Sequence, residues 1–260
     1  MASAASLRTG LGRGLGLLLL SVLALQLYFL ARVALMLWID PGSTTFQRSE
    51  IVRLLAHKHQ VAWAHEWVDY ERISVHLKRA VIAAEDAGFA EHSGIEWEAL
   101  EKAWERNQQA QERADKTYRR LEESATRRGR EPPAAPAPKV VGGSTITQQL
   151  AKNLFLGSER TLLRKAQEVA IVWMLEGLLG KRRILEIYLN HVEWGEGLFG
   201  AEAAAQHYFR VSAARLAPQQ AAQLAVMLPA PKRFEKRPGS AYVLGRAASI
   251  AARMPAVQVP

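Results

Sequence analysis

Gly142-Gly143-Ser144-Thr145-Ile146-Thr147-Gln148-Gln149-Leu150-Ala151-Lys152-Asn153 is the most informative stretch of this 260-residue chain. Two glycines let the backbone approach a ligand closely, and a Ser-Thr pair can then start a helix. Thr145 and Gln148 have the Thr-x-x-Gln spacing of a capping box, in which side chain and backbone bond reciprocally at a helix start. On that helix Gln148, Lys152 and Phe155 share one face, with Gln149 and Asn153 on the adjacent strip. A free helix N-terminus with a lysine one turn inside suits phosphate oxygens. An ordinary capped surface helix would read the same way, so the rest of the chain must decide.

Charge narrows the partners. Lys and Arg number 34 against 25 Asp and Glu, a formal +9, which favours anions: headgroups, nucleic acid or pyrophosphate. With no cysteine, a disulfide framework and a thiolate metal site are both excluded. Residues 15–31 carry no charge and follow Arg8 and Arg13; apolar character resumes over 33–39 after Arg32. That length suits a bilayer-spanning anchor over residues 15–39 better than a cleaved signal peptide, and no small-x-small cleavage site is convincing before Trp38. The arginines ahead of the span place the N-terminal tail, 1–14, inside and everything after Asp40 outside. A domain exported in this way would rarely meet nucleic acid.

The remainder reads as all-α. Residues 40–50 form a linker or turn, and helical spacing follows over 51–67, 74–87 and from 97 towards 113. Residues 105–139 are charged and then proline-rich, which predicts a solvated helical extension followed by an extended, mobile connector. Beyond it, helices are expected over 161–179, 183–189, 201–208 and 215–228, with a glycine-rich turn at 194–200. The expected organisation is a membrane-proximal linker and helix at 40–72, a catalytic domain at 73–235, and a C-terminal tail at 236–260.

Two carboxylates stand out. Leu77, Val81, Glu85 and Phe89 recur every four residues, which sets an acid inside an apolar stripe. Burial would raise its pKa and suit it to proton transfer; a helix ending at Glu85-Asp86, with both acids solvated, is the plainer alternative. Glu168 lies one turn from Arg164 and Lys165, and Lys152, Arg160, Arg164 and Lys165 together form a cationic cluster of the kind a pyrophosphate requires. A surface ion pair explains Glu168 equally well. No Walker loop, nucleophile elbow or zinc spacing is present, and His92 reads as a structural hydrogen-bonding group.

The segments Glu85–Gly94 and Gly142–Asn153, then Arg164–Glu168 with Leu175-Glu176, Lys181 and 184–190, then Gly200–Ala204 with Tyr208-Phe209, and finally 222–231 resemble, in order, the five motifs of the peptidoglycan glycosyltransferases, family 51. The resemblance covers about residues 70–235, and the anchor and length are similar to the monofunctional biosynthetic transglycosylases. It implies a lysozyme-like, two-lobed helical domain behind one transmembrane helix, at the outer face of the inner membrane, with the domain in the periplasm. The implied substrate is lipid II, a disaccharide-pentapeptide on undecaprenyl pyrophosphate, joined to a growing glycan strand. By position, Glu85 resembles the general base and Glu168 the second essential carboxylate. Asp86, Phe89, Ser144, Thr145, Gln148, Gln149, Lys152, Asn153, Arg160, Arg164 and Lys165 match substrate-binding positions. Implied partners beyond the substrate are the membrane and proteins of cell division or wall synthesis. The family often works better with Mg2+ or Mn2+, although no cofactor is strictly required and no metal-ligand cluster is legible. Ser-x-x-Lys and Lys-Thr-Gly are both absent, so peptide cross-linking is not expected.

Overall fold

The structure, a computed structural model, describes residues 4–59, 62–128, 130–132, 134, 143–157, 159 and 161–260. Its first helix, α1 (Ala4–Leu35), holds a stretch, Gly12–Leu35, long and apolar enough to cross a membrane. The end of this helix is also part of the domain: Phe29, Val33 and Met36 are buried in the main core. The helix α2 (Thr45–Lys58) begins earlier than its apolar spacing suggested. Thr44 and Gln47 close a capping box there, so the supposed linker already contains a helix start.

After the two-residue strand β1 (Ala64–His65), Ser74 caps α3 (Val75–Glu85), which buries Leu77, Ala80, Val81 and Ile82. The long helix α4 (Trp97–Arg127) is solvated over nearly its whole length, with only Ala103 buried. The charged half of the 105–139 segment is therefore largely helix, and the proline half falls mostly outside the described residues. Next come α5 (Ile146–Phe155), α6 (Leu162–Leu178) and α7 (Gly180–His191). Gly180, at φ +70°, separates the last two, a backbone state that side-chain-bearing residues rarely adopt.

The expected glycine-rich turn at 194–200 is a small hairpin instead. Strands β2 (Glu193–Gly195) and β3 (Leu198–Phe199) pair antiparallel, and β1 joins β3 in parallel, with Ala64 opposite Leu198. The two hairpin strands, two or three residues long and buried throughout, show no alternation for the sequence to reveal. The chain continues through α8 (Ala201–Phe209), α9 (Pro218–Met227) and the short α10 (Pro231–Phe234).

Residues 236–260 are not a tail. Ser240 caps α11 (Ala241–Arg253), whose Val243, Ala247 and Ile250 form a buried stripe against α9 and α3. Two helix groups result, α3 with α9 and α11, and α5 with α6 and α7, with α1 against α6 and α2 against α5. The fold is all-α, in keeping with the lysozyme-like arrangement. Glu85, the last residue of α3, lies where the first group meets α5.

Candidate active site

The apolar repeat containing Glu85 outruns its helix. α3 stops at Glu85, and Phe89 is buried from the following turn, where the Lys181 ammonium sits 4.6 Å above its ring. Phe89 therefore supports the site from beneath instead of lining it. Asp86 is not solvated either. Its fully buried side chain takes the Ile146 N–H on Oδ2 at 3.0 Å and His92 Nε2 on Oδ1 at 2.7 Å.

That contact corrects the expectation of a free helix N-terminus. Asp86 already occupies the positive end of α5, and Thr145 Oγ1 accepts the Gln148 N–H while Gln148 Oε1 accepts the Thr145 N–H. Thr145 also donates to the Gly94 carbonyl at 2.6 Å. Gln148 and Thr145 are consequently buried capping residues. Gly143 approaches a helix rather than a ligand: a Cβ there would lie 2.8 Å from Ala103 Cβ and 3.2 Å from the Ala99 carbonyl oxygen.

Glu85 is half-buried and borders an open cavity of about 210 Å³ between α4 and the 143–145 loop. Ser144 is exposed on this cavity, α4 contributes Lys102 and Arg106, and Glu96 joins them from the position just before the helix. Gln149 donates its amide to Glu85 Oε2 at 2.9 Å and accepts the Tyr188 hydroxyl at 2.9 Å. Glu85 Oε1 has no hydrogen bond from the described residues. Burial raises the Glu85 pKa; the Gln149 hydrogen bond opposes that, Asp86 adds to it, and Lys152 opposes it. The arrangement is that of a carboxylate one oxygen of which is oriented while the other stays available for a proton.

Lys152 sits within electrostatic reach of both Glu85 and the group Glu168, Arg164 and Lys165. Desolvation lowers its pKa, Glu168 and Glu85 pull it up, and the neighbouring Arg164 and Lys165 push it further down. Buried Glu168 binds Arg164 at 2.9 Å and Lys165 at 2.5 Å, holding both cations on one surface. Arg164 Nε is buried and has no partner among the described residues, a donor left for a further acceptor. Asn153 is half-buried beside Lys152. Arg160 lies outside the described residues. The structure thus bonds Glu85 to Gln149 and links it electrostatically to Lys152, which is coupled in turn to Arg164, Lys165 and Glu168. Asp86 and Thr145 hold the start of α5 and also line the Glu85 cavity, whereas Phe89 and Gln148 are buried.

Sequence reading missed Tyr188, whose pKa burial holds well above the usual tyrosine range, and the cavity-lining Glu96, Lys102 and Arg106. It also missed that Asp86, His92 and Glu96 bring ligand atoms within 4.8 Å of one another. This trio fits a divalent ion poorly. Both Asp86 oxygens are engaged, and His92 Nδ1 already accepts the Gly94 N–H at 3.1 Å while its Nε2 serves Asp86. Neither ring nitrogen keeps a free lone pair for a metal.

The chain matches the model of the family described as Transglycosylase over residues 53–115 and 134–255. The unmatched interval covers the outer part of α4 and the start of the proline-rich segment, and the match extends through α11. A Biosynthetic peptidoglycan transglycosylase of Burkholderia thailandensis is 50% identical over 238 residues, covering 92% of this chain and 83% of the relative. The protein of that name from Burkholderia lata is 48% identical over 238 residues, 92% of this chain and 86% of its own. The one from Janthinobacterium sp. (strain Marseille) is 47% identical over 241 residues, 93% of each chain.

Proposed function

This chain belongs to the transglycosylase family, and on that premise we propose that it polymerises lipid II into glycan strands at the outer face of the inner membrane. The acceptor sugar hydroxyl gives its proton to Glu85 as its oxygen attacks the donor anomeric carbon with inversion. The bond from that carbon to the lipid diphosphate breaks, its electron pair staying on the phosphate oxygen, and undecaprenyl pyrophosphate leaves. Lys152, Arg164 and Lys165 neutralise the departing charge, with Arg160 assigned beside them; Glu168 keeps two of these cations aimed. Since Asp86 occupies the α5 N-terminus, the diphosphate is held by side chains.

The observation that carries this reading is a desolvated carboxylate and a cationic group linked electrostatically through Lys152. A hydrolase cleaving glycan has no use for the cations, whereas a diphosphate leaving group requires them. The chain contains neither Ser-x-x-Lys nor Lys-Thr-Gly, so we assign it no transpeptidase activity. Gly12–Leu35 is assigned as its single membrane anchor, with the catalytic domain on the periplasmic side. Detergent-solubilised protein given labelled lipid II should produce long glycan strands. Shortening of added peptidoglycan, with no strands made from lipid II, would overturn the assignment.

A further inference from the structure

The cavity that Glu85 borders carries two cations of its own, and the proposed reaction gives them no part. Lys102 and Arg106, on α4, line the cavity that Glu85 borders, and neither belongs to the α6 cluster. Small residues make the room: Ala99 and Ala103 face the loop, and Gly143 packs directly against them.

Both cations are exposed, and they repel each other. Same-sign neighbours one turn apart destabilise a helix, and Lys102 and Arg106 are such a pair. The residues three and four away from Arg106 are Lys102, Ala103, Gln109 and Ala110, so no carboxylate on its own helix can pair with it. Lys102 does reach Glu98 at 2.7 Å, but that contact is exposed and weak enough for a ligand to displace. An anion bridging the two would relieve their repulsion.

Resting on the polymerase reading, we propose that Lys102 and Arg106 bind the acceptor molecule through an anionic group, either its diphosphate or a carboxylate of its stem peptide. The hydroxyl to be deprotonated must reach Glu85 Oε1, while the same molecule carries its charges at a distance. A cationic handle on α4 fixes that molecule without touching the donor. Donor and acceptor charges are then separated by the base, which keeps the two diphosphate-bearing substrates from competing for one set of cations.

The test uses the full chain in detergent, with a preformed lipid-linked glycan strand as donor and varied lipid II as acceptor. Arg106→Gln and Lys102→Gln should each raise the KM for lipid II about tenfold, the scale of one lost charge-assisted hydrogen bond, with kcat little changed. Arg106→Lys should recover most of the affinity, and Arg127→Gln, at the far end of α4, should leave KM unaltered. With a lipid II analogue lacking the stem peptide, a persisting defect assigns the diphosphate and a vanished one assigns the carboxylate. If wild-type protein polymerises but the Gln variants keep the wild-type KM, or lose only kcat, this inference is overturned. A wild-type protein that makes no glycan overturns the underlying reaction instead.

Discussion

The Tyr188 hydroxyl donates to Gln149 Oε1 at 2.9 Å and thereby decides which end of that amide faces Glu85. With its oxygen engaged, Gln149 can present only N–H, and it gives one to Glu85 Oε2. A tyrosine that contacts no solvent thus sets the proton affinity of a residue on another helix. Tyr188→Phe frees the amide to rotate and weakens the one hydrogen bond that opposes burial, so the Glu85 pKa rises. A base works only when ionised. The acid limb of the kcat/KM profile should therefore move to higher pH, with the plateau retained; an unmoved limb would contradict this link.

Replacing the proposed base separates activity from stability. Glu85→Gln should reduce polymerisation by about 100-fold or more, the usual worth of a general base. Its folded pKa is raised by burial, so Glu85 favours the fold when protonated, below its ordinary range, and that contribution is lost as pH rises through the folded value. At neutral pH the ionised carboxylate opposes folding. The Gln variant should then melt at or above the wild-type temperature at pH 7, with the gap closing towards pH 4. A marked drop in Tm at pH 7 would show that Glu85 serves the fold.

Gly143 offers a test of how the cavity is built. A Cβ at this position meets Ala103 Cβ at 2.8 Å, closer than atoms tolerate without movement. Gly143→Ala should destabilise the protein by about 1–3 kcal/mol through overpacking. The double variant with Ala103→Gly should recover a substantial part in urea unfolding, because it removes the atom in the way. Additive losses would mean that the loop and α4 do not press on each other.

What the sequence disclosed depended on how local the cause was. The α5 capping box needs only Thr145 and Gln148, and it forms as read. Thr44 and Gln47 carried the same signal, masked by a linker-like Pro-Gly-Ser-Thr-Thr composition. The hairpin escaped because its strands are too short for a period, and α11 because the apolar pattern looked finished at Pro229 and Pro231. The site divides in the same way. Glu85 and the cations announce themselves by residue type, whereas the capping role of Asp86 cannot be read until α5 places its first N–H against it. The charges of α4 looked like an ordinary wet face. Only the closeness of the 143–145 loop turns two of them into a cavity wall.

The anchor and the domain are joined by a pair of amides. Gln26 Nε2 donates to Gln167 Oε1 at 2.7 Å, and Gln167 Nε2 returns a bond to Gln26 Oε1 at 3.1 Å. Gln26 falls within the apolar stretch of α1, so Gln167, and with it the first turns of α6, must lie near the same depth. There Leu162 and Leu163 are 90% and 84% exposed, side chains better matched to lipid than to water. Apolar surroundings leave these amides no alternative partners, yet such bonds contribute only about 0.5–2 kcal/mol in membranes. Gln26→Leu and Gln167→Leu should each weaken the docking of α1 on α6. The double variant should cost no more than either single change, since two leucines leave no orphaned amide. A double-mutant cycle on thermal unfolding in lipid nanodiscs measures the coupling; additive losses would show that the two side chains do not interact.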